Sequence, residues 1–205
     1  MVGIFSTHYF YSKFLFLKKD FTLKHFYILV VLLFSISETL FSQESKVTDG
    51  IKSFNIKFYV AHPWKNVIGV CNEPKLESFK LIGGKDIPTI SSPFIVKCSL
   101  LNMKTGDSNR DSHMLEVLGY PESKEIVFSV TNTQVDKDLN YKISGDLSIK
   151  GKSKPIVFLA KLSKEGSLRV NGSFEILLSD FSVERPALLF VPIKDSVRVE
   201  VGISL

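Results

Sequence analysis

The chain has 205 residues, of which 44% are hydrophobic and 23% are charged, and its formal net charge at pH 7 is +5. This length leaves room for one domain with a substantial core. The basic residues are scattered along the chain and are not interleaved with aromatic residues, which argues against a surface that binds nucleic acid. We therefore expect no nucleic-acid partner.

The first 42 residues have the pattern of an export signal. Lys18, Lys19 and Lys24 precede the apolar run FYILVVLLF at 26–34, and small residues follow it. The run is shorter than the roughly 20 apolar residues of a membrane-spanning helix. We predict cleavage near Ser42 and one mature domain at 43–205. This domain is expected to be exported to the periplasm, with secretion or display at the cell surface as alternatives.

Beyond residue 50 the chain alternates apolar and polar residues, the period of β-strands with one buried face. The segment YKISGDLSIKG at 141–151 shows this most clearly, and turn signals such as KEGS at 164–167 separate the runs. The strands are predicted at 53–61, 66–71, 75–82, 93–101, 125–135, 141–150, 154–163, 167–178 and 196–205.

About eight antiparallel strands with short links predict an all-β fold, an elongated up-and-down barrel, because closure removes exposed strand edges. A two-sheet sandwich would produce the same pattern and is the alternative.

One segment, TGDSNRDSHMLEVLGYP at 105–121, has helical signals instead. Asp107, Ser108 or Asn109 can cap the helix, an apolar side follows over one or two turns, and Gly119 and Pro121 end it. We expect a short helix near one end of the barrel, with polar side chains of this segment at the rim.

Cys71 and Cys98 are the two cysteines of the chain. An oxidising compartment allows a disulfide between them. Cys98 is also in phase with the apolar face of its strand, so a buried free thiol is an equal alternative. These cysteines and the histidines show no close ligand pairing, and we expect no metal site.

Known patterns for catalysis do not occur in the sequence. There is no GxSxG elbow, no pair of carboxylates and no triad. The GKS at 151–153 follows Gly145 at the wrong spacing for a phosphate-binding loop, and a strand rather than a helix follows it. We therefore expect a protein that is not an enzyme and has no cofactor.

The polar segment and the strands after it resemble the YceI-like family of exported lipid-binding or polyisoprenoid-binding proteins. The resemblance covers nearly all of residues 53–205, although the family's first strand is hard to find before Ser53. The matching positions are Phe58, His62, Gly69, Thr105, Gly106, Asn109, Arg110, Asp111, His113, Tyr120, Pro121, Ile126, Phe128, Gly145, Leu147, Ile149, Gly151, Lys154, Pro155, Gly172, Phe174, Ser179, Asp180 and Phe181.

This resemblance implies a lipocalin-like barrel whose lengthwise apolar cavity holds one long-chain amphiphilic lipid, such as a polyisoprenoid, a quinone or a fatty-acid derivative. It also implies transient contact with a membrane or a membrane protein, and it allows a homodimer. Ordinary core packing remains the alternative for the predicted lining, because sequence cannot separate a filled barrel from a hollow one. The candidate lining residues are Phe58, Phe94, Phe128, Ile143, Phe158 and Phe174.

Two roles are open for the polar residues at the rim. Arg110 and His113 are suited to binding an anionic headgroup. Equally, the group can brace the helix through internal hydrogen bonds. The candidates are His62, Asn109, Arg110, Asp111 and His113.

Two other functions compete with lipid carriage. The segment 184–195, ERPALLFVPIKD, is longer and more apolar than a tight turn needs, so a filled barrel that binds proteins through 185–194 is one alternative. A small hydrolase or isomerase with His62 or His113 facing the cavity is the other.

Overall fold

Alternating apolar and polar residues form strands throughout the computed structural model, which describes residues 50–82, 88–164 and 166–205. In the described residues the strands are β1 (Ser53–Val60), β2 (Val67–Cys71), β3 (Lys75–Glu77), β4 (Lys80–Ile82), β5 (Thr89–Ser91), β6 (Phe94–Ser99), β7 (Met103–Lys104), β8 (Glu125–Val135), β9 (Asn140–Ile149), β10 (Lys152–Ser163), β11 (Arg169–Leu177), β12 (Ala187–Leu188), β13 (Val191–Pro192) and β14 (Ser196–Ser204). The predicted export signal at 1–42 lies outside the described residues.

The strand prediction holds best where the period of two is longest. In β9 the side chains alternate between buried and partly or fully exposed, with Tyr141, Ile143, Leu147 and Ile149 buried. The predicted strand at 75–82 is instead two short strands, β3 and β4. Lys150 and Gly151 form the tight turn between β9 and β10, and both have positive φ. This geometry is typical of two-residue hairpin turns.

The all-β prediction is confirmed, whereas the predicted number of strands is wrong. Ten strands form one antiparallel sheet in the order β3-β6-β8-β9-β10-β11-β14-β1-β2-β7. Strands that follow each other along the chain are also neighbours from β8 to β11, but β14 lies between β11 and β1. The pairing of β14 with β1 is what an up-and-down barrel requires, whereas the placing of β7 beside β2 and of β3 beside β6 departs from that order.

The two edges of this sheet are drawn together by a disulfide. β3 and β7 are the edge strands, so the hydrogen-bonded ladder is not continuous around the sheet. Cys71 on β2 and Cys98 on β6, each one strand in from an edge, are joined by the bond. The disulfide is thus present rather than two buried thiols, and the sheet curls into a barrel-like shape.

Within the described residues one α-helix, α1 (Ser108–Val117), interrupts the strands as predicted. Asp107 caps it, accepting a 2.9 Å hydrogen bond from the backbone N–H of Arg110. The Nζ of Lys150, in the β9–β10 turn, donates to the carbonyl of Val117. This contact places α1 at the end of the sheet where that turn lies, called here the helix end.

The hairpin of β4 and β5 packs at the opposite end of the sheet. Tyr141, at the far end of β9, donates from its hydroxyl to the carbonyl of Pro88. Thr133 donates to the carbonyl of Ile90 at 2.6 Å. Ile90 and Phe79 are both only 3% exposed. The core is therefore covered at this end, and the helix end is where a site can open.

Candidate functional site

The curled sheet encloses a cavity of about 280 Å³. For comparison, an engineered apolar cavity of about 150 Å³ stays dry and binds benzene. Typical small-molecule pockets have volumes of about 300–1,000 Å³. The space is therefore suited to a single slender apolar ligand, and it exists because the inward faces of the strands do not fill the interior.

The lining is almost entirely aliphatic and aromatic. It comes from the buried faces of the long strands, from α1 and from the segment before β14. The residues of the lining with a polar side chain, the disulfide apart, are Thr105, Arg110, His113 and Glu184.

All six lining residues predicted from the sequence face this cavity: Phe58, Phe94, Phe128, Ile143, Phe158 and Phe174. Three of them form an aromatic layer. The ring centroids of Phe158 and Phe174 are 4.9 Å apart. The centroid of Phe128 lies 6.1 Å from that of Phe158 and 6.3 Å from that of Phe174. Offset ring pairs at these distances are favourable. They make part of the wall a stiff aromatic surface.

Two glycines make room for the rings of Phe58 and Phe158. A Cβ on Gly69 would lie 2.0 Å from the ring of Phe58, and one on Gly172 would lie 2.7 Å from the ring of Phe158. Each ring thus lies directly over the backbone of a neighbouring strand. A side chain at either glycine would push the ring away from this position.

The cavity reaches the solvent between α1 and the segment that follows β11. Among the described lining residues only His113 and Glu184 are exposed, and both belong to the helix end. Thr105 and Arg110 lie at the same end, so the polar part of the lining is concentrated there. We call this region, defined by Thr105, Arg110, His113 and Glu184, the mouth.

Thr105 connects the polar side chains of α1 to the strand before it. Arg110 donates to Thr105 twice at 2.8 Å, from Nε to the hydroxyl and from Nη2 to the backbone carbonyl. Asp111 accepts from both the backbone N–H and the hydroxyl of Thr105. These four hydrogen bonds hold the first turn of α1 against β7, which is the bracing arrangement.

The other predicted rim residues are separated by the structure. His62 is buried and does not line the cavity. Its Nε2 donates to the carbonyl of Val191 at 3.0 Å, and its Nδ1 accepts from the N–H of Trp64. Asn109 is exposed on α1. His113 lines the cavity and lies 3.3 Å from Glu116.

The titration shifts at this end come from structural hydrogen bonds. The backbone N–H of Arg110 lowers the pKa of Asp107, as expected for a helix cap. The hydroxyl and N–H of Ser179 lower the pKa of Asp195. Neither carboxylate lines the cavity. Within the described residues, no three His, Cys, Asp or Glu side chains are grouped as metal ligands would be.

Sequence reasoning missed part of the mouth. Glu184, Pro186 and Ile193 line the cavity. They lie in the segment before β14, where only the unusual length and apolar character of 184–195 gave a signal. No periodicity marks these positions, because the segment is neither a long strand nor a helix.

No α-helix within the described residues has the length and apolar character needed to cross a bilayer.

Comparison with known proteins gives one consistent family. The model of the YceI-like domain matches residues 42–205. Two UPF0312 proteins, from Pseudomonas savastanoi pv. phaseolicola and Pseudomonas syringae pv. syringae, are each 29% identical over 108 residues, 47% of this chain. The chain spans about half the length of these curated relatives, 55% in each case.

Three solved structures share the fold. BcnA of Burkholderia cenocepacia superposes with a TM-score of 0.62 at 12% identity, over 74% of this chain and 96% of BcnA. A polyisoprenoid binding domain from Saccharophagus degradans gives 0.52 at 15% identity, over 75% and 95%. The YceI protein of Campylobacter jejuni gives 0.50 at 19% identity, over 69% and 86%.

Proposed function

The chain belongs to the YceI-like domain family, and from that premise we propose that it binds one long-chain amphiphilic lipid. The hydrocarbon chain occupies the cavity, and the polar headgroup stays at the mouth. The observation that carries the proposal is the cavity itself, which is apolar along its length and polar only where it meets solvent.

The energetics favour a hydrocarbon ligand. Each CH₂ group moved from water into such a cavity gains about 0.8 kcal/mol, so a five-carbon isoprene unit contributes a few kcal/mol before ordering costs. A lining whose polar side chains all lie at the mouth offers nothing to a ligand that needs hydrogen bonds along its length. Affinity should therefore rise with chain length until the cavity is full.

The size of the cavity and one structural neighbour support the class of lipid that we propose. A polyisoprenoid, a quinone with an isoprenoid tail or a fatty-acid derivative presents a single slender chain and a polar end. The Saccharophagus degradans domain is a polyisoprenoid binding domain, which supports the first of these. At the mouth, the headgroup would meet His113 and Glu184, since Arg110 is already bound to Thr105.

Binding without chemistry is the role that we assign to the protein. His62 is held by two backbone groups outside the cavity, and His113 lies at the solvent-exposed mouth beside Glu116. This placement does not support the hydrolase or isomerase alternative. The protein would carry or store its ligand, without a cofactor.

We propose that this takes place outside the cytoplasm, in the periplasm. The export pattern of residues 1–42 supports this location, as does the disulfide, since such bonds persist in oxidising compartments.

The test is native mass spectrometry of the protein purified from the cells that produce it. Organic extraction and mass analysis then identify any bound lipid. We expect one long-chain species per protein molecule. A Val201→Phe variant, which places a ring in the cavity lining, should retain less of it. Val157→Phe is the matched control, because Val157 is 59% exposed on the outer face of β10.

Thermal unfolding of both variants shows whether they are folded. The proposal fails if the wild-type protein is empty and also refuses polyisoprenoid, quinone and fatty-acid probes. It also fails if folded Val201→Phe retains as much lipid as the control.

A further inference from the structure

The hairpin of β12 and β13, at the helix end, has a turn made of two large apolar residues. Leu189 is 72% exposed and Phe190 is 100% exposed. Trp64, 57% exposed, is nearby, since its ring meets that of His62, whose Nε2 binds the carbonyl of Val191. Trp64, Leu189 and Phe190 are called here the apolar tip.

The backbone at this turn does not explain why these residues are there. Leu189 and Phe190 have φ values of 49° and 65°. A two-residue hairpin turn with both φ values positive favours Asn-Gly, and large side chains are strained in it. The chain thus carries two exposed apolar side chains where polar or small residues would suit the backbone better. This combination points to a role for the two side chains outside the hairpin.

The apolar tip is firmly attached to the rest of the protein. The N–H of Lys194 donates to the carbonyl of Ala61 at 2.8 Å, and the N–H of Ile193 donates to that of Pro186 at 3.0 Å. Pro186 and Ile193 also line the cavity. The tip therefore projects from the same end as the mouth, on a fixed base.

Three basic residues are near the apolar tip along the chain. Lys65, Arg185 and Lys194 are all exposed within a few residues of it along the chain. Two carboxylates lie close to these cations: the N–H of Arg110 and, more weakly, Lys65 lower the pKa of Asp107, and Ser179 and, more weakly, Arg185 lower the pKa of Asp195. Glu184 remains at the mouth. Exposed apolar and aromatic side chains with cations close by along the chain match the interface of a bilayer with anionic headgroups.

We infer that the apolar tip docks the protein on the surface of a bilayer that contains anionic lipids. Leu189, Phe190 and Trp64 enter the interface, while Lys65, Arg185 and Lys194 meet the headgroups. Docking in this way turns the mouth toward the bilayer, where an amphiphile can pass between membrane and cavity; this last step rests on the proposed function.

Trp64 makes the test direct, because it is the only tryptophan of the chain. The protein purified from the cells that produce it is titrated with two kinds of vesicle. One contains phosphatidylcholine alone, and the other contains phosphatidylcholine and phosphatidylglycerol in equal parts. We expect a blue shift of the tryptophan emission and protection from acrylamide with the anionic vesicles. A much weaker response is expected with phosphatidylcholine alone.

The decisive variant is Leu189→Asn with Phe190→Gly, which removes the apolar side chains and suits the turn. It should lower vesicle affinity at least about tenfold. Val157→Ser with Leu159→Ser is the control, because these residues are 59% and 63% exposed on β10, away from the tip. Replacing Lys65, Arg185 and Lys194 by Gln should cost about fivefold per cation on anionic vesicles.

The inference is overturned if the tip variant and the wild type bind vesicles with equal affinity. Equal affinity would be expected if residues 26–34 alone anchored the chain. It is also overturned if Trp64 emission does not change on binding. Loss of self-association in the tip variant, with no vesicle binding by the wild type, would assign the surface to a second copy instead.

Failure of docking and failure of lipid binding can be told apart. Cavity occupancy is measured without vesicles, with a soluble apolar fluorescent probe, and the tip variant should bind that probe as the wild type does. If the cavity is empty and does not bind the probe, the proposed function is wrong. If Trp64 still inserts into vesicles in that case, the docking inference stands.

Discussion

The ring of Phe58 packs against the backbone of β2 at Gly69. The two residues are register partners on β2 and β1, and a Cβ at position 69 would lie 2.0 Å from Cζ of Phe58. Non-bonded carbon atoms do not approach so closely, so the ring can occupy its place in the cavity wall only if residue 69 has no side chain. The shape of the cavity thus depends on a single missing methyl group.

Gly69→Ala should therefore destabilise the protein, by about 1–3 kcal/mol, because overpacking forces the ring out of its place. Urea unfolding measures the loss. Ile68→Ala, next to it but 56% exposed on the other face, should change stability by less than about 1 kcal/mol. Adding Phe58→Leu should recover part of the loss, and a Gly69→Ala variant as stable as the wild type would contradict this packing.

The contacts of Thr105 bear on the two roles that the sequence left open for Arg110 and Asp111. Its hydroxyl accepts from Arg110 and donates to Asp111, so the charged residues are bound to the protein itself. A headgroup site would need Arg110 turned toward the ligand. The geometry favours the brace.

Thr105→Val keeps the shape of the side chain and removes the hydroxyl. We expect a loss of about 1–2 kcal/mol in unfolding free energy, because two charge-assisted hydrogen bonds lose their partner. Binding of an apolar probe to the folded variant should not change. Thr131→Val is the control, since exposed Thr131 makes one hydrogen bond to a carbonyl. A variant of normal stability that loses affinity for an anionic amphiphile would restore the headgroup role.

At the scale of the elements, the strands near the edges of the sheet are the most dependent on a covalent link. β7 has two residues and β3 has three, so each edge offers few ladder hydrogen bonds. Cys71 and Cys98 join the longer strands beside them. The disulfide thus holds the two edge regions together, because the short edge strands form too few hydrogen bonds to do so.

Replacing Cys71 and Cys98 together by Ala should lower the free energy of unfolding by about 3.5 kcal/mol, from the entropy of the 27-residue loop that the bond closes. Affinity for an apolar probe should fall as well, since both cysteines line the cavity. Denaturant unfolding and probe titration measure the two effects. Reducing agent should weaken the wild type similarly and leave the double variant unchanged; equal stability of both proteins without reductant would mean that packing alone holds the edges.

At the scale of the whole molecule, the candidate functional features of the described residues lie at one end of the sheet. The hairpin of β4 and β5 covers the opposite end, where Ile90 contributes to the lining. At the helix end lie the mouth, α1 and the apolar tip. Under the proposed function, a long chain would enter and leave at the helix end, beside the exposed side chains of Trp64, Leu189 and Phe190.

The sequence alone was enough for most of the local structure and for the inward faces of the long strands. Strand positions, the position of α1 and the inward orientation of Phe58, Phe128 and Phe174 follow from periodicity and capping. These signals act between residues close in the chain, so they can be read without knowing the fold. The YceI-like resemblance added the architecture, and the family was then shown by comparison.

Only the tertiary structure decided how distant segments meet. β14 pairs with β1, ten strands rather than eight form the sheet, and Cys71 meets Cys98 across its edges. Whether the interior is hollow depends on the summed volume of side chains from all the strands, which no local pattern encodes. The exposure of Leu189 and Phe190 likewise depends on where the hairpin projects. Periodicity identifies the face of a strand, whereas the volume enclosed by many faces is a property of the assembled molecule.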